Sequence, residues 1–194
     1  MLIGVLALQG DFREHIWALQ RLGVEALAVK SLSELEKVDG LIIPGGESTS
    51  IGRIAQVTGI GERIVQIAKE GLPIYGTCAG MILLAKKIVD RPNQYTFGLM
   101  DIIVQRNAYG RQIESFEVYL DVARLGKLKA VFIRAPKIVE LGKDVEVLAS
   151  YDNTPILVQQ DNLLASSFHP ELTDDLRIHE YFVKMVADRH ESVR

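Results

Sequence analysis

The stretch PIYGTCAGMILLA, residues 73–85, joins a short apolar run to a helix-like run through Gly-Thr-Cys-Ala-Gly. It contains the only cysteine of the 194-residue chain. A buried strand, a sharp turn and a helix form the pattern of a nucleophile elbow, which holds a reactive side chain at the end of a sheet. Gly76 and Gly80 lack the side chains that would collide in such a turn. The stretch therefore predicts an α/β fold with Cys78 at the rim of a parallel sheet.

The segments before this elbow alternate between strand and helix patterns. Apolar runs at 2–8, 24–29 and 40–43 predict strands, and residues 12–22 and 50–70 predict helices, the latter with a break near 59–61. We expect Asp11 to cap the first helix, Gly23 to end it, and Ser33 with Glu36 to form a capping box for a short helix. After the elbow we expect a helix over 79–88. This alternation predicts a mainly parallel sheet covered by helices on both faces.

The C-terminal half has a different pattern. Residues 115–122 alternate apolar and polar, and QDNL at 160–163 separates two apolar runs as a hairpin turn would. Residues 174–190 form an amphipathic helix pattern. We therefore expect antiparallel strands in this half, and a single domain over residues 1–194, since no linker or repeat interrupts the chain.

Composition narrows the class of function. Hydrophobic residues make up 48% and charged residues 24%, as in globular proteins. The formal net charge of -3 gives no basic field for nucleic acid or an anionic membrane. The first apolar run is too short for a signal peptide or a membrane span. A lone cysteine forms no internal disulfide, which favours the reducing cytoplasm.

A thiol nucleophile usually needs a base and a group that orients the base. His169 follows an apolar run within SSFHPEL, and Glu171 lies two positions further, on the same side of extended backbone. We expect His15, His179 and His190, which lie on the first and last helices, to be surface or rim residues. The alternative for Cys78 is an inert buried cysteine, and His-Pro-Glu alone is a weak motif.

GTCAG, followed about ninety residues later by FHPE, resembles the triad glutaminases, the class I glutamine amidotransferases. GVLALQGDFREH, LIIPGGEST, RNAYGRQ, FIRAP and SFHPELTDD further resemble the glutaminase subunits of pyridoxal 5′-phosphate synthases. The resemblance extends from Leu2 to the last helix. It implies a three-layer, flavodoxin-like sandwich that hydrolyses L-glutamine to L-glutamate and ammonia, without a metal ion or cofactor.

The resemblance also implies roles for individual residues. Cys78 would be the nucleophile, His169 the general acid and base, and Glu171 the group that orients His169. Backbone N–H groups of Ala79 and Gly46 would form the oxyanion hole. The residues expected to bind L-glutamine are Gly46, Glu47, Ser48, Arg106, Ile133 and Arg134.

The partner implied by the resemblance is the separate synthase (lyase) subunit, which would receive the ammonia within a large heteromeric complex. Ammonia is mostly protonated in free solution, so a closed path to a second active site is needed. We expect docking to complete the oxyanion hole by reorienting a peptide in the Gly45–Gly46 turn, with Gln9 and the first helix at the interface.

Two other functions remain open at this point. The chain could be a free-standing cysteine hydrolase or peptidase with the same architecture, because a fold alone does not define a function. It could also be a non-catalytic partner module. A pocket suited to a free amino acid argues against the first alternative, and an intact set of Cys78, His169 and Glu171 argues against the second.

Overall fold

The computed structural model describes residues 1–106, 108 and 115–193. Six α-helices fall within these ranges: α1 Phe12–Arg21, α2 Leu32–Leu35, α3 Ser48–Thr58, α4 Ile60–Lys69, α5 Ala79–Leu84 and α6 Arg177–Ser192, with a 3-10 helix at Pro170–Leu172. The described strands are β1 Leu2–Leu6, β2 Glu25–Val29, β3 Gly40–Ile43, β4 Ile74–Thr77, β5 Ala85–Ile88, β6 Met100–Gln105, β7 Ser115–Val122, β8 Gly126–Ile133, β9 Lys137–Leu141, β10 Glu146–Tyr151, β11 Thr154–Gln160 and β12 Leu163–Ser166.

A seven-stranded sheet forms the centre of the fold, in the order β10-β11-β12-β4-β3-β1-β2. The pairs from β12 to β2 are parallel, and β11 pairs antiparallel with both β10 and β12. The hairpin turn predicted at QDNL joins β11 to β12. The sheet therefore has the mainly parallel character and the antiparallel C-terminal strands expected from the sequence.

Alternate residues of the central strands enter two separate hydrophobic cores. Leu41 and Ile43 of β3 pack in the core that contains α3, α4 and α5, whereas Ile42 packs in the core that contains α1 and α6. Continuous apolar runs are typical of parallel strands because both faces of such a sheet are covered. The helices on both faces give the three-layer sandwich that the family resemblance implied.

Two smaller sheets complete the described part of the chain. Strands β5, β6 and β9 form one sheet, and β7 pairs antiparallel with β8 to form the other. The end of β8 brings Ile133 to the carboxyl edge of the central sheet, beside the elbow. Among the helices of the described ranges, none is both long and apolar enough to cross a bilayer.

Several local predictions were wrong. The capping box belongs to Ser31 and Glu34, two positions earlier than expected, with Ser31 Oγ accepting from Glu34 N–H at 3.3 Å. Asp11 stands at the N-cap of α1, but its side chain makes no capping hydrogen bond. The helix expected over 79–88 ends at Leu84, because the next four residues form β5 and pair with β6.

Candidate active site

The elbow at Cys78 places the only thiol between β4 and α5. Cys78 has φ 51° and ψ -102°, a conformation that L-residues rarely adopt. Its N–H donates to the carbonyl of Ser166 at 2.8 Å, which joins the elbow to the end of β12. A Cβ on Gly76 would lie 2.5 Å from the backbone of Gly80, and one on Gly80 would lie 2.1 Å from the carbonyl oxygen of Ile43. Both flanking glycines are therefore required by close backbone approach.

His169 reaches the thiol from the neighbouring strand. Because β12 and β4 are parallel, their carboxyl ends meet at one edge of the sheet, and His169 follows β12 by three residues. Its N–H donates to the carbonyl of Val131 on β8 at 2.8 Å. The thiol of Cys78 lies close enough to the imidazole of His169 to raise the pKa of that ring. Both residues are buried, with 8% and 3% exposed.

Glu171 completes the group. Its Oε1 lies 2.5 Å from Nδ1 of His169. Burial alone would lower the pKa of His169, but its interactions with Cys78 and with Glu171 outweigh burial and raise that pKa to about 11. Burial raises the pKa of Glu171, and the adjacent His169 opposes this shift. This arrangement favours an imidazolium held by the carboxylate of Glu171 beside the thiol, as in enzymes whose nucleophilic cysteine is paired with a histidine.

A glycine-rich turn lies against the imidazole of His169. A Cβ on Gly45 would lie 2.6 Å from Cε1 of His169. The carbonyl of Gly45 accepts from the N–H of Asp11 at 2.9 Å, and Oε1 of Gln9 accepts from the N–H of Glu47 at 2.8 Å. The turn that contains Gly46 is thus held on both sides by the segment that leads into α1.

Glu47 and Arg106, both expected to bind L-glutamine, pair with each other. Glu47 Oε1 accepts from Nη2 of Arg106 at 3.0 Å. Glu47 also caps α3 by accepting from the N–H groups of Thr49 and Ser50. Partial burial opposes the shift, but hydrogen bonds from Ser50 and Thr49 lower the pKa of Glu47 to about 2. The site therefore holds a paired anion and cation at its rim.

Gln94 is a residue of this rim that sequence reasoning missed. Its Oε1 accepts from Nη1 of Arg106 at 2.7 Å, and its Nε2 donates to Oγ of Ser48 at 2.9 Å. Ser48 is buried, with 1% exposed. Gln94 follows the dipeptide Pro-Asn in a loop, and nothing in that local pattern signals a link to α3.

Ile133 and Arg134 lie at the end of β8, where Ile133 approaches the thiol. The carbonyl oxygen of Ile133 is 3.8 Å from Sγ of Cys78. Arg134 is exposed and has φ 45°, so the chain turns sharply after β8. Most of the RNAYGRQ stretch lies outside the described residues. The structure thus brings Cys78, His169 and Glu171 together at the sheet edge, with Ile133 beside the thiol.

The prediction for two of the histidines was wrong. His15 and His179 are fully buried, each with 0% exposed. Nδ1 of His15 lies 2.9 Å from Nε2 of His179, and Nε2 of His15 lies 3.1 Å from Oγ1 of Thr77. His190 is a rim residue, 3.6 Å from Asp39. A signal existed: His15 has helical spacing from Phe12 and Leu19, on the apolar side of α1.

Asp11, His169 and Glu171 bring possible metal-ligand atoms within 4.8 Å of one another. An ion bound there would compete with the hydrogen bond between Glu171 and His169. We therefore assign these side chains to the group around the thiol, which consists of Cys78, His169 and Glu171 with Asp11 beside them, and not to a metal site.

An α/β sandwich with a cysteine elbow, a histidine and a carboxylate at one sheet edge defines a class of hydrolases with a thiol nucleophile. The SNO glutamine amidotransferase family matches residues 5–188, and the chain belongs to that family. This match confirms the family resemblance found in the sequence.

Known proteins resemble the chain along its whole length. It is 63% identical over 194 residues to pyridoxal 5′-phosphate synthase subunit PdxT of Pseudothermotoga lettingae, with 100% of both chains covered. It is 56% identical over 188 residues to PdxT of Thermotoga maritima, which covers 96% of this chain and 100% of that relative. A crystal structure of a glutamine amidotransferase matches with a TM-score of 0.93 and 53% identity over 95% of this chain and 98% of that one. The structure of PurLQS from Thermotoga maritima, at 20% identity and a TM-score of 0.65 over 96% and 95%, shares the fold alone.

Proposed function

We propose that this chain hydrolyses L-glutamine to L-glutamate and ammonia and supplies the ammonia to a synthase partner that makes pyridoxal 5′-phosphate. The observation that carries this proposal is the placement of His169, hydrogen-bonded to Glu171, beside Cys78 at the sheet edge, in a chain of this family. The names of the relatives support the choice of synthase. The single-domain reading of residues 1–194 and the cytoplasmic location belong to the same proposal.

The reaction begins at the thiol. The thiolate of Cys78 attacks the side-chain amide carbon of glutamine, and the C–N bond breaks as His169 protonates the leaving nitrogen. A glutamyl thioester remains on Cys78. His169 then takes a proton from water, the resulting hydroxide displaces the thiolate, and glutamate leaves. Glu171 holds the imidazole in position and stabilises its positive charge throughout.

The tetrahedral intermediate carries a negative oxygen that needs hydrogen-bond donors. We assign this role to the N–H groups of Ala79, at the start of α5, and Gly46. N–H groups in the first turn of a helix have no partner within the helix. Gly46 has φ 150°, within the region that favours glycine, so a change of peptide orientation here costs little.

The rim residues suit a free amino acid. A guanidinium binds a carboxylate, and a carboxylate binds an ammonium, so Arg106 and Glu47 match the two ends of the glutamine backbone. Ser48, Ile133 and Arg134 would line the remainder of the site. A peptide lacks both free charges within its chain, which distinguishes this proposal from the peptidase alternative.

Docking of the partner would act on the turn at Gly45 and Gly46. Gln9 and Asp11 hold this turn, and they lead directly into α1. Trp17 on α1 is 58% exposed, so α1 offers a large apolar side chain that a partner could cover. A partner seated on α1 could therefore shift the oxyanion hole and start hydrolysis only when ammonia is needed.

Glutamate release, measured with and without the synthase subunit, tests the proposal. We expect hydrolysis to rise when the synthase is added, and Cys78→Ala to abolish it while complex formation stays largely intact. A hydrolysis rate unaffected by the synthase, with turnover of peptides or esters instead, would favour a free-standing hydrolase. Full activity in Cys78→Ala would refute the assignment of the nucleophile.

A further inference from the structure

We propose that His15 and His179 form a buried positioning pair that supports the second carboxylate oxygen of Glu171, so that the group around the thiol extends from the sheet edge into the core. This inference rests on the proposed function, in which Glu171 orients His169. Neither histidine contacts the thiol. Their role would be to fix the carboxylate that the imidazole of His169 depends on.

Glu171 uses one oxygen for His169 and leaves the other without a hydrogen bond. Among the described residues, its Oε2 is a buried atom with no hydrogen-bond partner within normal distance. Nε2 of His15 faces this oxygen at 3.6 Å, and the side chains of both residues are fully buried. An uncompensated carboxylate oxygen inside a protein is costly, so a donor that faces it stabilises the charged form.

The partners of the two rings determine where their protons lie. Nδ1 of His179 is buried and has no hydrogen-bond partner within the described part of the chain. A bare lone pair there costs less than an unsatisfied N–H, so the proton of neutral His179 belongs on Nε2. Nε2–H then donates to Nδ1 of His15 at 2.9 Å. The proton of His15 is thereby placed on Nε2, the atom that faces Glu171 and Thr77.

Both rings are neutral at pH 7. Burial, followed by the repulsion that a charged His15 would meet from positive charge on His179 or His169, lowers the pKa of His15 well below its ordinary value. Burial lowers the pKa of His179 to about 4. A neutral His15 supplies an N–H dipole to Glu171 without neutralising the carboxylate, so Glu171 keeps the charge that stabilises the imidazolium of His169.

Packing alone does not explain why two polar rings are buried here. Tyr75 packs edge-on against both rings, with centroids 6.4 and 6.3 Å away, and its hydroxyl bonds to Ser166 instead. Two apolar side chains would fill this volume without the cost of buried polar atoms. The pair also links α1 to α6, and Thr77, the hydroxyl partner of His15, immediately precedes Cys78.

Nitrogen NMR tests the proton placement directly. Protein labelled with ¹⁵N-histidine gives long-range ¹H–¹⁵N spectra that distinguish the two neutral tautomers from imidazolium. We expect His15 and His179 both to be neutral with the proton on Nε2 at pH 7. A proton on Nδ1 of either ring, or a charged ring, would overturn the inference. This measurement needs no glutamine turnover, so it stands apart from any failure of the proposed function.

Kinetics of the complex with the synthase test the positioning role. His15→Leu removes the donor, whereas His15→Gln keeps an N–H near the position of Nε2. With rates expressed per thiol labelled by a glutamine-like diazoketone, we expect His15→Leu to lower kcat about tenfold at nearly unchanged KM, and His15→Gln to restore most of it. His190→Leu, at the partly exposed C-terminal end of α6, is the control and should match the unmodified protein.

Two kinetic outcomes would contradict the proposal. One is a kcat for His15→Leu equal to that of the unmodified complex. The other is an equal loss in His15→Leu and His15→Gln, which would mean that the volume of the ring matters and its donor does not. If neither variant folds, the tautomers observed in the unmodified protein decide the question.

Discussion

Substitution of Gly10 by alanine isolates the contact that holds the Gly45–Gly46 turn. Gly10 has φ 99°, and a Cβ at this position would lie 2.0 Å from the carbonyl oxygen of Gly45 and 3.0 Å from Cα of Gly46. Real Cβ atoms essentially never approach closer than 3.0 Å, so the turn must move by about 1 Å to accept the methyl group. That movement would displace Gly46, whose N–H we assign to the oxyanion hole.

A misplacement of about 1 Å in a catalytic site can cost about 100-fold in rate. We therefore expect Gly10→Ala to lower the kcat for glutamine about 100-fold in the complex with the synthase. The left-handed backbone adds a stability cost of about 1–2 kcal/mol, which is independent of the contact. The assay is glutamate release under saturating glutamine and synthase, with the folded fraction checked by circular dichroism.

Gly23→Ala is the matched control. Gly23 has φ 71°, and nothing lies within 4 Å of the Cβ it would gain. It carries the same kind of backbone strain without the collision, so it should lose stability and keep turnover. A folded Gly10→Ala protein with near-normal kcat, or an equal loss of kcat in Gly23→Ala, would refute the reasoning.

Three further predictions concern other groups of the site. Glu171→Gln removes the charge from a 2.5 Å hydrogen bond, so kcat should fall about 10- to 150-fold with little change in KM, and a change confined to KM would contradict an orienting role. Gln94→Leu removes the contacts to Arg106 and Ser48, so it should raise the KM for glutamine about tenfold at similar kcat. The control Gln66→Leu, at an exposed glutamine of α4, should change neither constant. A loss of kcat alone in Gln94→Leu would argue against a role in binding. Because the pKa of His179 falls from 6.5 to about 4 on folding, the unfolded chain binds the proton first, and stability should drop by roughly 3 kcal/mol as the pH is lowered from 6.5 to 4. Urea unfolding of His179→Leu should show a weaker pH dependence over this range, and an unchanged slope would count against a buried neutral ring.

Local patterns were sufficient where one interaction decides the structure. The alternating segment 115–122 is β7, Ser115–Val122, because a half-buried hairpin strand follows a period of two. Gly59, with φ 79°, separates α3 from α4 where the sequence predicted a break. The elbow was predictable for a related reason, since Gly76 is required by its contact with the backbone of Gly80, four positions away, although Gly80 is required by the distant carbonyl of Ile43.

Predictions were wrong where two local solutions compete. The run SLSELE, residues 31–36, contains Ser31 with Glu34 and Ser33 with Glu36, and both pairs fit the capping-box pattern. Which of the two pairs forms the capping box depends on where β2 ends, and β2 ends at Val29, two residues before Ser31. In the same way, the helix after Cys78 stops at Leu84 because β6, which is distant in sequence, pairs with the next four residues.

The site was only partly predictable because some of its parts come together through tertiary packing. Gln94 reaches Ser48 across 46 positions, and His15 reaches His179 across 164. His15 and His179 were predicted at the surface because histidine is usually exposed, although their spacing places them on the apolar sides of α1 and α6. For these two histidines, position on an apolar helical face predicts burial better than residue type does.

The backbone at Cys78 has a consequence for the evolution of this fold. Its φ of 51° with ψ of -102° is tolerated by glycine and disfavoured for every residue with a side chain, at a cost of about 1–3 kcal/mol. Replacing the cysteine by glycine would therefore relieve the backbone strain of the turn, at the loss of a buried side chain. A lineage that lost the reaction would no longer need a side chain at this strained position. Persistence of the thiol in a lineage would therefore indicate continued selection for its reactivity.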